Sequence, residues 1–190
     1  MTHTRRRRLL WFAAVATLLP FAACRPPTGD HERSAAATAT RAPPGGPTTP
    51  AVETNAVIDH VVDGDTVDVR IDGRTERVRL IGINTPETKD PRRPVECYGP
   101  EASALTALLL PPGTAVRLER DAEPRDDYGR LLAYVVRSDG LFVNLELARQ
   151  GAATVLSIRP NTTYAAVIAA AADEARRARR GLWGTCHSSP

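Results

Sequence analysis

The chain has 190 residues, 42% hydrophobic and 25% charged, with a formal net charge of +3. Seven of the 25 Lys and Arg and three of the 22 Asp and Glu precede Asn55, so the remaining 18 basic and 19 acidic residues leave a domain of about −1. Bulk charge therefore gives no case for polyanion binding, which has to rest on local sites; two cysteines after Cys24 and four scattered histidines do not make a zinc site.

Arg5, Arg6, Arg7 and Arg8 precede an almost wholly apolar run from Leu9 to Ala23, then Cys24. A basic start, a short apolar stretch and small residues before a cut site make a secretory signal. The run is about 15 residues, short of the roughly 20 that span a membrane. Phe21-Ala22-Ala23-Cys24 is similar to a lipoprotein box, with Phe21 where Leu is usual. Residues 1–23 are thus expected to be a lipoprotein-type signal peptide and Cys24 a lipidated first mature residue. An ordinary cleaved signal and a permanent anchor helix are the alternatives. Residues 24–54 are rich in Pro, Thr, Ala and Gly without apolar periodicity. They cannot bury enough surface to offset their ordering entropy and are expected to be a disordered spacer. Residues 55–186 are expected to form one domain around one core, followed by a tail over 187–190.

Ala56 to Val62 reads as a first strand. Val67, Val69 and Ile71 alternate with Thr66, Asp68 and Arg70, which is strand periodicity. Asp72-Gly73 predicts a type I′ hairpin turn, whose two central residues need positive φ. The return strand, from about Thr75 to Ile83, brings Asn84-Thr85-Pro86-Glu87 near Asp63-Gly64-Asp65, with Arg79 between them. Oxygen-bearing residues thereby converge at one end of a short sheet, as a hard divalent cation requires. Taken alone, Asp-Gly-Asp is more often merely a turn.

Lys89, Arg92 and Arg93 lie between prolines in a basic loop, which could touch phosphates or be simply solvated. Pro100 with Glu101-Ala102 starts a helix that Pro111-Pro112 stops. Thr114 to Asp121 and Arg130 to Arg137 read as fourth and fifth strands. Asn144 opens, or lies early in, a short helix ending at Gly151. Asn161-Thr162-Thr163 is expected to cap a long Ala-rich helix with Gly181 as terminator, its terminal arginines complementing the helix dipole. The class is mainly β with α (α+β), and five strands with about three interspersed helices fit an OB-fold barrel. If Cys24 is lipidated, Cys97 and Cys186 remain as an even pair in an oxidising compartment and are expected to be bonded, with two buried thiols as the alternative.

Asp63-Gly64-Asp65-Thr66, Arg79-Leu80, Thr85-Pro86-Glu87, Tyr98-Gly99-Pro100-Glu101-Ala102 and Asp127-Tyr128-Gly129-Arg130 occur in one order along the chain. In those motifs the chain resembles the thermonuclease (staphylococcal nuclease-like) family over about Ala56 to Trp183. The resemblance implies the same OB-fold and a Ca2+-dependent endonuclease acting on DNA and RNA. It implies Asp65, Asn84 and the Thr85 carbonyl as metal ligands. Glu87 would be the base or the residue orienting the attacking water, and Arg79 and Arg130 the phosphate clamps, with Tyr128 against the substrate. Asp126 or Asp127 would orient the Tyr128–Arg130 turn. Two departures stand out. Asn84 occupies a position usually Asp, which removes one negative charge from the cation site. Leu156 and Ile158, ahead of Arg159-Pro160-Asn161, occupy positions usually Tyr, and base stacking on an aromatic is worth roughly 1–3 kcal/mol.

The expected protein is a monomer, secreted or anchored through N-terminal lipid at the extracellular side of the cell membrane. The competing reading is a surface lipoprotein whose OB-fold binds nucleic acid or another ligand without cleaving it.

Overall fold

The computed structural model describes residues 52–186; Cys24, the signal, nearly all of the spacer and the tail lie outside them. Strands β1 (Ala56–Asp63), β2 (Thr66–Ile71) and β3 (Arg74–Leu80) run as an antiparallel meander. After them come β4 (Gly82–Asn84), α1 (Gly99–Leu109), β5 (Ala115–Glu119) and β6 (Leu131–Arg137). Helix α2 (Val143–Arg149), β7 (Thr154–Leu156), α3 (Ala165–Arg177) and the one-turn α4 (Leu182–Thr185) complete the domain. The order β1-β2-β3-β6-β5 closes into a barrel through β5–β1 pairing. Only the β3–β6 contact in it is parallel. Five closed strands in this order with three longer helices are the expected OB-fold.

The hairpin forms as its sequence dictates. Asp72 and Gly73 have φ of 49° and 79°, and Ile71 pairs with Arg74 across a two-residue turn. Ile58, Val67, Val69, Val78, Val116 and Val135 fill the barrel and are fully buried. Asp68, on the alternate face, is also covered, because the Arg77 guanidinium grips its carboxylate with bonds of 2.8 and 2.9 Å. Entry to the barrel is clamped at Asn55, whose side chain accepts from Leu118 N–H at 2.8 Å and donates to the Leu118 carbonyl at 3.1 Å.

The return strand is not continuous to Ile83. It ends at Leu80, and Gly82, with φ of 82°, turns the chain into β4, which pairs with β7 in a separate two-stranded sheet. A side chain here would be strained by the positive φ, and its Cβ would lie 2.7 Å from Ile168 Cδ1 of α3, which would have to shift. Asn161 does not cap α3 either. The residue at the cap is Tyr164, with no side-chain cap bond. The Asn161 side chain instead accepts from Glu123 N–H at 2.8 Å and donates to the Glu123 carbonyl at 2.9 Å. The left-handed residue beyond α3 is Arg179 rather than Gly181, which begins α4. Cys97 and Cys186 are bonded, with Cα atoms 5.9 Å apart and a sequence separation of 89. In the chain-entropy account such a bridge contributes on the order of 4 kcal/mol.

Tyr134, Phe142 and Tyr164 pack edge to face with centroids 4.7 to 5.9 Å apart. The Tyr134 hydroxyl donates to Asp121 at 3.0 Å, and Asp121 also receives Thr163 N–H and hydroxyl. Burial beside that carboxylate pushes the Tyr134 hydroxyl up to about 12 from its ordinary 10.0. A group raised on folding contributes stability that is full below the unfolded value and is lost as pH climbs through the folded one. Denaturant midpoints are therefore expected to fall between about pH 10 and 12, and to fall less steeply in Tyr134→Phe. An identical slope in the variant would remove Tyr134 from the cause.

Candidate active site

The corner between β1 and β2 carries the Asp63-Gly64-Asp65 turn. Asp65 is buried; its Oδ2 accepts from Thr85 N–H at 2.8 Å and its Oδ1 from the Thr66 hydroxyl at 3.1 Å. Leu80 N–H donates to the Asp65 carbonyl at 2.9 Å. The turn and the 84–87 segment thus meet as the hairpin reading requires. Gly64 permits the approach, because a Cβ there would lie 2.6 Å from Thr85 Oγ1 and 2.8 Å from Thr85 Cβ. Thr85 Oγ1 is itself buried with no hydrogen-bond partner among the described residues.

Arg79, at the end of β3, projects into this corner. Its Nη2 lies 3.0 Å from Asp65 Oδ2 and donates to Asn84 Oδ1 at 3.1 Å. Its Nη1 donates to the Leu80 and Ile83 carbonyls. Burial pushes this guanidinium below its ordinary value, opposed by Asp65. Two oxygens from Asp65 and Asn84 therefore converge on one cationic nitrogen.

Glu87 is held by its own loop. Its Oε1 accepts from Thr88, Lys89 and Asp90 N–H at 2.9, 2.6 and 3.1 Å. Asp63, on the other side, is a tie that the sequence reading missed. It accepts from Gly64 N–H at 2.8 Å, the Thr88 hydroxyl at 2.7 Å and the Ser103 hydroxyl at 2.9 Å. Burial pushes the Asp63 carboxyl up, but these bonds and the adjoining Glu87 carboxyl outweigh it and hold the group below the usual range. No local spacing signals the Ser103 contact, which spans 40 residues.

Arg130 comes from the turn before β6. Of the two candidate orienting acids, the structure selects Asp126. Asp126 Oδ1 accepts from Tyr128 and Arg130 N–H, both at 3.0 Å, and its Oδ2 accepts from Arg130 Nε at 2.7 Å. Neither Nη of Arg130 donates a hydrogen bond to any described residue. The Tyr128 ring is 86% exposed and its centroid lies 5.3 Å from Arg130 Cζ.

All of these groups line one cleft of about 600 Å³: the Asp65, Asn84 and Thr85 set, the Arg79, Glu87 and Arg130 set, and Tyr128. Leu156 and Ile158 give it an apolar wall, 39% and 63% exposed. Leu156 is delivered by β7, which the sequence reading left without a strand. Of the basic loop, Arg93 reaches the cleft and pairs with Glu96, whereas Arg92 is turned to Asp90.

The family model for the staphylococcal nuclease homologue matches residues 77–185. The chain belongs to the staphylococcal nuclease family. It is 45% identical to the thermonuclease of Staphylococcus intermedius over 127 residues, 67% of this chain and 74% of that protein. Identity to the thermonuclease of Staphylococcus hyicus is 42% over 123 residues, covering 65% and 72%. Endonuclease YncB of Bacillus subtilis is 38% identical over 131 residues, covering 68% and 61%. The Asp63–Thr66 corner, Asp65 included, precedes the stretch matched by the staphylococcal nuclease family model, whereas Arg79, Asn84, Thr85, Glu87, Tyr128 and Arg130 lie within it.

Nucleases of this family are generally calcium-dependent, and the donor types in the cleft can be tested against such an ion. The Asp65 and Asn84 atoms that face Arg79 Nη2 are oxygens, which is what a hard cation takes. Among the described residues no three His, Cys, Asp or Glu side chains cluster as a metal cage. One carboxylate, one amide and one backbone carbonyl fit the ion in kind, with less charge than a pair of carboxylates would bring.

Proposed function

We propose that the protein is a calcium-dependent phosphodiesterase cleaving DNA and RNA. The observation that carries this reading is the meeting, in one cleft, of a hard-oxygen set, a restrained carboxylate and two arginines. Asp65, the Asn84 amide oxygen and the Thr85 carbonyl would hold the calcium ion, which supplies charge neutralisation at the phosphate. Arg130 presents its Nη groups, unpaired among the described residues, as a fork to the phosphate oxygens, a geometry that suits guanidinium better than an ammonium. Arg79 adds a second fixed positive charge from the buried side. Glu87, its Oε1 fixed by three amides, receives the proton of the attacking water or orients that water. The new bond forms between water oxygen and phosphorus as the ester P–O bond breaks, and the leaving oxygen takes a proton from solvent. Tyr128, Leu156 and Ile158 offer the sugar and base one aromatic and two aliphatic surfaces.

The N-terminal pattern supports export, with lipid on Cys24 holding the domain at the outer side of the membrane. Cell fractionation of wild type against Cys24→Ser separates the anchored form from the secreted one.

A fluorogenic substrate assay with calcium titration, then EDTA, tests the activity. Cleavage is expected with calcium and none after chelation. Asn84→Asp adds a carboxylate to the hard-oxygen set, so the calcium concentration for half-maximal rate is expected to fall. A wild type that cleaves nothing at any calcium concentration, without rescue by Asn84→Asp, sinks the nuclease reading. One observation favours the alternative of binding without cleavage: both Nη groups of Arg79 are already engaged by protein oxygens.

A further inference from the structure

Glu87 is gripped on both sides of its backbone by a single residue. Its N–H donates to Glu96 Oε2 at 3.0 Å, and its carbonyl accepts from Glu96 N–H at 2.9 Å. Arg93 pairs with the other Glu96 oxygen. The next three residues make a tight corner. Cys97 is bonded to Cys186, Tyr98 takes φ of 68°, and Gly99 N–H donates to the Glu96 carbonyl at 3.0 Å. Gly99 then lies against the Glu87 segment, where a Cβ would be 3.2 Å from the Pro86 and Glu87 carbonyls and 2.6 Å from Thr88 Cγ2.

We propose that Glu96 is a positioning residue for Glu87, and that the Cys97–Cys186 bridge holds Glu96 in place. The proposal rests on Glu87 handling the water. The Glu87 carboxylate takes its orientation from the amides of Thr88, Lys89 and Asp90, so it moves as one piece with that turn. The loop that follows is tied mainly to itself, through Arg92 on Asp90 and Arg93 N–H on the Asp90 carbonyl. The Thr85–Asp65 and Thr88–Asp63 bonds tie the piece to the barrel corner, and Glu96 holds the Glu87 backbone from the other side. Cys97, next to Glu96, carries that anchorage through the disulfide to the segment after α3. A reacting group displaced by about 1 Å costs on the order of 10²-fold in rate, even when the change lies away from the chemistry.

Kinetics and amide hydrogen exchange on the same variants test this. Glu96→Ala is expected to lower kcat about tenfold or more with KM within about threefold of wild type. Exchange at residues 87–90 should accelerate in the same variant. Glu96→Gln keeps an oxygen for the Glu87 N–H and should stay near wild type in kcat and in exchange. In the Cys97→Ser/Cys186→Ser form the Glu96→Ala step should cost less than in wild type, because two changes to one anchor are not additive. An unchanged kcat in Glu96→Ala, or equal losses in the Ala and Gln forms with exchange unaltered, overturns the proposal. Full additivity removes the disulfide from it. If the wild type cleaves no nucleic acid, the phosphodiesterase reading has failed by itself, and exchange at residues 87–90 still decides whether Glu96 is the anchor.

Discussion

Arg130→Ala is expected to lower the cleavage rate by about 10²–10³-fold, the usual cost of removing one preorganised charge-stabilising donor. Its stability should stay within about 1 kcal/mol of wild type, because Arg130 is half-buried and its partner Asp126 keeps two backbone N–H donors. Arg79→Ala should lose rate by a similar factor but also lose stability. That side chain is mostly covered, and removing it strips the cationic partner from Asp65 and a donor from the Leu80 and Ile83 carbonyls. The pair is thus told apart by combining single-turnover rates with urea midpoints. Arg79→Lys should not recover the rate, since one ammonium cannot serve Asp65, Asn84 and two carbonyls from the geometry a planar fork gives. Full activity in Arg130→Ala would remove that residue from the chemistry, whatever Arg79 does.

Asn144→Ala is expected to be the most damaging substitution for folding among the polar residues. Asn144 is fully buried in the first turn of α2. It accepts from Val135 N–H of β6 at 2.9 Å and donates to the Ile81 carbonyl, between β3 and β4, at 2.8 Å. Truncation leaves a buried donor and a buried acceptor unpaired, at roughly 1–3 kcal/mol each. Against a total of about 5–15 kcal/mol for a domain, that is a large fraction. Asn144→Asp should rescue little, because it cannot donate to Ile81 and would bury a charge. A urea midpoint close to wild type in Asn144→Ala would mean that water or backbone movement replaces both bonds.

The parts of the site that the sequence discloses are those joined by one hairpin. Asp65 immediately precedes β2 and Arg79 lies on β3, two strands whose register is set by Asp72-Gly73, with Thr66 opposite Arg79. Asn84, Thr85 and Glu87 follow within a few residues. Arg130, Tyr128 and the Cys97–Cys186 pairing are also legible, from motif order and from cysteine parity. What stayed hidden depends on partners far along the chain. The break at Gly82 lies against Ile168 of α3. Strand β7 is three residues long and forms only because β4 offers it an edge. Asn161 looked like a helix cap because Asn ahead of an Ala-rich run usually is one; the backbone of Glu123 competes for the same side chain and wins.

The clamp at Asn55 has a consequence for how the domain can be mounted. Strand β1 carries the chain from Asn55 to Asp63, and Asp63 lines the cleft. Eight residues of strand cover roughly 25 Å at about 3.3 Å each. Whatever precedes Asn55 is therefore joined to the barrel at the end remote from the cleft. The other terminus is different, since Cys186 is fastened to Cys97 beside Glu96 and Asn84. A bead, a surface or a fused partner joined directly ahead of Asn55 starts from the far end of the barrel, whereas the same cargo joined directly after Cys186 starts beside the rim.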